Sequence, residues 1–387
     1  MFSTLLVSVP YTVMGSDTID GIGEIVRDLG AAKALIVTDI GVSKAGLIDK
    51  VKSSLEKNEC KYDVFDGCEP NAPISVIEQC SQKVNDEGHD LLIGIGGGSV
   101  MDTTKVVSVI AASGIKALDL LPPGKPIKKV IPKILVPTTA GTGSEWSNLA
   151  NVTDDSEGLK KLMQFKQFWA DAVILDPEMT LNLPQNITVE TGMDALSHGI
   201  ESYVCAASSI VSDMFAEAAI KLVADNLRLA YAKGNKHIEA RYKMAIAASL
   251  AMKAGEISST GLGHFIDSFI VSKVHISHGA ALTILLPHVM EFNLIAAPGK
   301  FARIAELLGE QTSGLSTMDA AQKSVEAVRR LAHDMGLTQR LGDVGITEAD
   351  IPQLVSDLFR LKARPIELFN PRNATPDDVA GILKAAL

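Results

Sequence analysis

Short apolar runs rich in β-branched residues alternate with amphipathic stretches through the first half of the chain. Residues 34–38, 63–65, 91–95, 134–136 and 173–175 read as buried strands, and 74–85 and 101–112 read as helices between them. That alternation predicts an α/β domain in which helices cover both faces of a parallel sheet. After Pro177 and Pro184 the texture changes. Ala, Leu, Ile and Met recur at helical spacing through 212–231, 238–254 and 319–335, so the second half is expected to be all helix. Two prolines and several polar caps break the pattern within DPEMTLNLPQN, which sets the expected boundary near residue 180 and divides 1–180 from 181–387.

A chain of 387 residues is long enough for two such domains, each with its own core. The net charge of −10, with no concentrated basic patch, argues against nucleic acid and anionic membrane surfaces and leaves a small molecule as the expected partner. Although 47% of residues are apolar, charged residues recur often enough that no stretch is expected to cross a bilayer. The start, MFSTLLVSVPYTVMGSD, lacks the basic region and cleavage site of a secretory signal. Cys60, Cys68, Cys80 and Cys205 show no CxxC pairing and read as reduced thiols of a cytoplasmic protein. The high apolarity of the helical half makes a homo-oligomer the expected state.

The most specific chemistry lies in TGMDALSHGIESYV. Asp194 and His198 are four apart on a helix-like run, so both side chains leave one face and can share an ion, and His264 and His278 would complete the shell. Three imidazoles and a carboxylate suit a borderline divalent ion such as Fe2+ or Zn2+. In the first half, the apolar run from Leu91 ends in Gly96-Gly97-Gly98-Ser99 before a helix, the layout of a phosphate cradle. PTTAGTGSE, from Pro137, again follows a strand with hydroxyls and glycines. Asp39 closes the strand ALIVTD, where its carboxylate can take a ribose diol and favour NAD over NADP, or cap the turn that follows. Because this acid precedes the glycines, the order differs from the usual dinucleotide fingerprint.

Taken together, GGGSVMDTTK, PTTAGTGSE, TGMDALSHGIESY, HGAALTILLPHVMEFN and NPRNAT resemble the iron-containing (group III) alcohol dehydrogenase family over nearly the whole chain. The resemblance implies an N-terminal NAD-binding domain, a helical metal-binding domain (a dehydroquinate synthase-like architecture) and an active site in the cleft between them. It implies a metal-dependent alcohol dehydrogenase or aldehyde reductase using NAD and a divalent ion, Fe2+ first, with Zn2+ or Mn2+ as alternatives. The implied ligands are Asp194, His198, His264 and His278. The implied cofactor contacts are Gly97, Gly98, Ser99, Thr138, Thr139, Thr142 and Ser144, with Asp39, Asn71 and Lys160, while Asp102 and Lys105 support the glycine loop.

The chain departs from the family where many members carry a histidine four residues after the third ligand, for here that residue is Ser268. A relay of the substrate proton could pass through Ser268, Asp267 or His275. Lys273 and Arg364 would suit an aldehyde with a sulfonate or carboxylate tail, or they are simply solvated. A dehydroquinate synthase-like lyase and an inert, assembly-forming relative are the alternative functions. His89, His237 and His333 read as surface residues, and His288 as a packing histidine.

Overall fold

The computed structural model describes residues 9–121, 126–274, 276–361 and 366–387. The described chain falls into two compact units, one ending at Leu183 and the other Pro184–Leu387. In the N-terminal unit a six-stranded, all-parallel sheet has the order β1-β8-β5-β4-β2-β3, formed by Tyr11–Met14, Lys33–Val37, Lys61–Phe65, Leu91–Gly96, Lys133–Pro137 and Ala172–Leu175 as β1, β2, β3, β4, β5 and β8. β4, β5 and β8 are buried along their whole length, as strands covered on both faces must be, whereas the outer strands β1 and β3 are partly exposed. Helices α1 (Ile22–Asp28), α2 (Ile40–Lys44), α3 (Asp49–Lys57), α4 (Ile74–Glu87) and α5 (Gly98–Ser113) connect the strands. Two apolar cores result, one holding Ile36, Ile93, Ile134 and Ile174, the other holding Leu35, Leu92, Ile77 and Val106. An antiparallel hairpin that the apolar pattern did not predict, β6 (Leu149–Asp154) with β7 (Leu159–Gln164), packs on α5.

From β2 the chain passes to β3 on one side and then to β4 on the other. That reversal is a topological switch point, and in open α/β sheets ligands bind there, beyond the carboxyl ends of the strands.

The C-terminal unit is helical throughout: α6 (Gln185–Val204), α7 (Ile210–Lys233), α8 (Ile238–Ser258), α9 (Leu262–Lys273), α10 (His278–Asn293), α11 (Pro298–Leu307), α12 (Thr317–Asp334), α13 (Ile351–Leu361) and α14 (Pro376–Ala385). α6 is nearly all buried, with α7, α8 and α10 against it. Contrary to the expectation from charge spacing, His278–Ala296 has the length and hydropathy of a membrane span, but 72% of its most apolar window is buried. Leu285 and Val289 of this helix pack with Ile266, Leu354 and Ile382, so its apolarity is that of a core helix.

Candidate metal centre and nucleotide cradle

Helical geometry brings Asp194 and His198 together on α6, and α9 and α10 bring their histidines to the same point. Asp194 Oδ1 lies 3.0 Å from His198 Nδ1, 3.7 Å from His264 Nε2 and 3.5 Å from His278 Nε2. His264 Nε2 and His198 Nε2 are 3.1 Å apart. The four residues expected to share an ion therefore do converge, all within the helical unit.

The outer ring nitrogens of His264 and His278 are held from behind. His264 Nδ1 is 2.5 Å from Glu201 Oε2, and Glu201 also accepts from the backbone N–H groups of Gly261 at 3.0 Å and Gly263 at 2.6 Å. His278 Nδ1 pairs with Asp267 Oδ2, and His198 Nδ1 lies 3.0 Å from the carbonyl oxygen of its own helix at Asp194. The Nε2 atoms of His198 and His264 face each other 3.1 Å apart, an arrangement that requires a proton or a cation between them.

The electrostatics make the same demand. Burial alone would raise the Asp194 carboxyl, but His198, His278 and His264 outweigh it and hold the group well below the usual carboxylate range. Burial pulls His264 down, yet Glu201 and Asp194 together push it up to about 10, while burial and the neighbouring His264 lower His198. Asp194 Oδ1 is buried and, among the described residues, has no hydrogen-bond partner of good geometry, although His198 Nδ1 lies 3.0 Å away. An orphaned carboxylate oxygen ringed by imidazole nitrogens is costly in a dry interior and is satisfied by an ion. The N3O donor set fits a borderline divalent metal.

In the N-terminal unit the expected cofactor residues gather at the switch point. Asp39 follows β2 and caps α2, its Oδ1 accepting from Val42 N–H at 2.9 Å, which is the turn cap considered for it. Gly97 and Gly98 follow β4, and the Thr138 N–H donates to the Gly96 carbonyl at 2.9 Å, tying the β5 loop to the glycine turn. A Cβ at Gly98 would lie 2.8 Å from Thr142 Cγ2, so glycine there lets the two loops approach this closely, and one at Gly97 would make a tight contact of 3.3 Å with Thr139 Cγ2. Ser99 Oγ accepts from the Asn71 N–H at 3.0 Å; Asn71 and Ala72 both have positive φ, 64° and 48°. Thr153 on the hairpin donates to the Asn71 carbonyl at 2.8 Å, and Lys160 stands opposite Thr153 in the β6–β7 register.

Ser144 is occupied within the protein. Its hydroxyl donates to Asp102 Oδ1 at 2.7 Å and accepts from Lys105 Nζ at 2.6 Å, and Lys105 also donates to the carbonyls of Ser144 and Leu149. Asp102 receives the Asn151 N–H at 2.8 Å. This buried pair staples α5 to the Thr-rich loop and the hairpin. Burial raises the Asp102 carboxyl and pushes the Lys105 amine down to about 8.

The structure corrects several readings. Ser268 donates its hydroxyl to the Phe265 carbonyl of its own helix at 2.9 Å, and Asp267 is paired with His278 rather than standing free to carry a proton. Lys273 is ion-paired with Asp350 at 2.8 Å, while His275 and Arg364 lie outside the described residues. His89 is buried against Asp63 at 3.0 Å rather than on the surface, and His237 caps α8 by accepting from Ala240 N–H. Glu201, which the sequence reading passed over, is a member of the centre.

Comparison with known proteins identifies the family. The model described as "Iron-containing alcohol dehydrogenase" matches residues 10–177, and "Fe-containing alcohol dehydrogenase family, C-terminal" matches 188–387. The chain is 36% identical over 378 residues to the NAD-dependent methanol dehydrogenase of Bacillus methanolicus, covering 98% of each. It is 34% identical to the sulfoacetaldehyde reductase of Bilophila wadsworthia, covering 97% of this chain and 98% of the relative. The solved alcohol dehydrogenase from Oenococcus oeni superposes with a TM-score of 0.94 at 33% identity, covering 100% of both chains.

Proposed function

The chain belongs to the iron-containing alcohol dehydrogenase family, and from that premise we propose that it interconverts a short, uncharged alcohol and its aldehyde, with Asp194, His198, His264 and His278 holding Fe2+. Metal-dependent, NAD-linked alcohol and aldehyde oxidoreduction is supported by the iron-containing family and by relatives named as an NAD-dependent methanol dehydrogenase and a sulfoacetaldehyde reductase. The observation that carries the ligand assignment is the buried, unpartnered Oδ1 of Asp194 amid three imidazoles.

When bound, the ion supplies Lewis acidity toward an alcohol or carbonyl oxygen, and the nicotinamide accepts or gives the hydride. Asp194 Oδ1 and the Nε2 atoms of His198, His264 and His278 would hold the ion. Glu201 and Asp267 keep the rings of His264 and His278 from turning. At the switch point the close-packed glycine turn, Ser99, Thr138, Thr139 and Thr142 offer N–H groups and hydroxyls to a diphosphate, and Asp39, Asn71 and Lys160 flank them. Ser144 serves the cofactor indirectly, through the loop it anchors. No relay through Ser268 is proposed, since its hydroxyl proton is directed to the Phe265 carbonyl of its own helix. An uncharged substrate is favoured because Lys273, one of the two cations considered for an anionic tail, is neutralised by Asp350; Arg364, the other, lies outside the described residues. Four free thiols support a cytoplasmic location, and Ile210 and Met214, 82% and 69% exposed one turn apart on α7, support self-association.

Protein stripped with a chelator and reloaded anaerobically with Fe2+, Zn2+ or Mn2+ tests this, with NADH absorbance followed over short aldehydes with and without charged tails. Stripping is expected to abolish turnover, Fe2+ to restore it best, and uncharged aldehydes to exceed sulfonated or carboxylated ones by about tenfold in kcat/KM, roughly 1.4 kcal/mol of discrimination. Turnover that survives stripping would overturn the metal assignment, and a preference for charged tails would overturn the substrate assignment.

A further inference from the structure

Each imidazole of the centre is held through Nδ1 by a different acceptor: the Asp194 carbonyl for His198, Glu201 for His264 and Asp267 for His278. The third case differs from the others. His278 is the first residue of α10, and 33% of its side chain is open to solvent, against 6% for His198 and 12% for His264. Packing restrains this ring least, so its direction depends most on its hydrogen bond.

Asp267 has the opposite surroundings. It sits on α9 one turn after His264 and is essentially inaccessible, beside Ile266 and Ile270 of the same apolar core. One carboxylate oxygen meets His278 Nδ1; the other, Oδ1, is buried and has no hydrogen-bond partner among the described residues. A carboxylate half satisfied in an apolar core costs stability. Its compensation is the imidazole it holds.

We propose that Asp267 is the positioning residue of the third imidazole. Its carboxylate keeps the proton on Nδ1, turns the Nε2 lone pair toward Asp194 Oδ1, and strengthens that nitrogen as a donor. Metal affinity then depends on a carboxylate that does not touch the metal. This rests on the ligand set proposed above.

The test uses full-length protein with Co2+ as the probe, read by its visible ligand-field bands and by competition with a chromophoric chelator, and by NADH fluorescence. Asp267→Asn and Asp267→Ala are expected to weaken Co2+ binding by about 10–100-fold and to alter the ligand-field bands, with NADH binding unchanged. In a His278→Ala background, Asp267→Asn is expected to cost nothing further. Should Asp267→Ala fail to fold, the near-isosteric Asp267→Asn decides. Co2+ affinity within twofold of the parent with an unchanged spectrum in Asp267→Asn would overturn the inference. So would an equal loss with and without His278, since Asp267 would then be acting through packing. If His278→Ala alone left Co2+ affinity intact, the ligand set itself would be wrong, a failure distinct from that of Asp267.

Discussion

A single methyl group added at Gly279 should dismantle the metal centre without touching a ligand. Gly279 follows His278 at the start of α10, where α10 meets α6. A Cβ built there would lie 2.1 Å from the Glu190 carbonyl oxygen and 2.6 Å from its carbon. The obstacle is backbone in the interior of α6, and by helical geometry that carbonyl is the acceptor for the N–H of Asp194, four residues on. No rotamer change relieves the clash, so Gly279→Ala must open the helix contact by at least 0.9 Å to reach 3.0 Å. Metal sites tolerate about 0.2 Å in ligand distance, and His278 sits on the displaced end. Overpacking of this kind costs about 1–3 kcal/mol. The expected outcome is a melting temperature about 2–10 °C lower, read by far-ultraviolet circular dichroism, with Zn2+ affinity down by more than the roughly 10–100-fold typical of losing a supporting partner. NADH binding should persist, because every residue proposed to hold it belongs to the N-terminal unit. A Gly279→Ala protein with parental melting and parental Zn2+ affinity would refute the claim that this backbone contact sets the site.

The corresponding methyl in the other unit has the opposite signature: Gly98→Ala presses on Thr142 Cγ2, and is expected to weaken NADH binding about tenfold while Zn2+ affinity holds. Adding Thr142→Ser, which removes that methyl and keeps the hydroxyl, should recover most of the loss if the steric reading is right. Lys133 is buried at the start of β5 with its amine donating to the Gln167 carbonyl, and burial, the dominant cause, pushes it down to about 8 from 10.5. Since the folded value is the lower one, the unfolded chain binds more protons between those limits, and this group makes stability rise with pH from about 8 to 10.5. The stability gained by Lys133→Met should therefore shrink by about 2 kcal/mol between pH 7 and pH 9.5. Urea unfolding followed by tryptophan fluorescence reports it, as both tryptophans, Trp146 and Trp169, lie in this unit; a pH-independent difference would contradict the assignment.

What the sequence revealed and what it hid follow from the range of the forces involved. Strands β2, β4, β5 and β8 were legible because burial on both faces leaves no polar alternation to confuse them. The hairpin β6–β7 was not, because its exposed and half-buried positions carry Asn, Gln, Thr and Lys and it packs on α5, which no local pattern records. Asp194 and His198 could be paired from spacing alone, since one helix fixes both. His264 and His278 could not, because their meeting depends on how α9 and α10 pack against α6. Glu201 did leave a signal, for Asp194, His198 and Glu201 fall at i, i+4 and i+7 of one helix, a single polar stripe in a buried segment. A stripe of that kind names the residues that share a site but not their roles. Asp267 shows why: three residues from a ligand it could equally be a proton carrier, a surface acid or a support. Only the direction of His278 Nδ1 separates those roles, and that direction is set by the approach of a second helix eleven residues further along the chain.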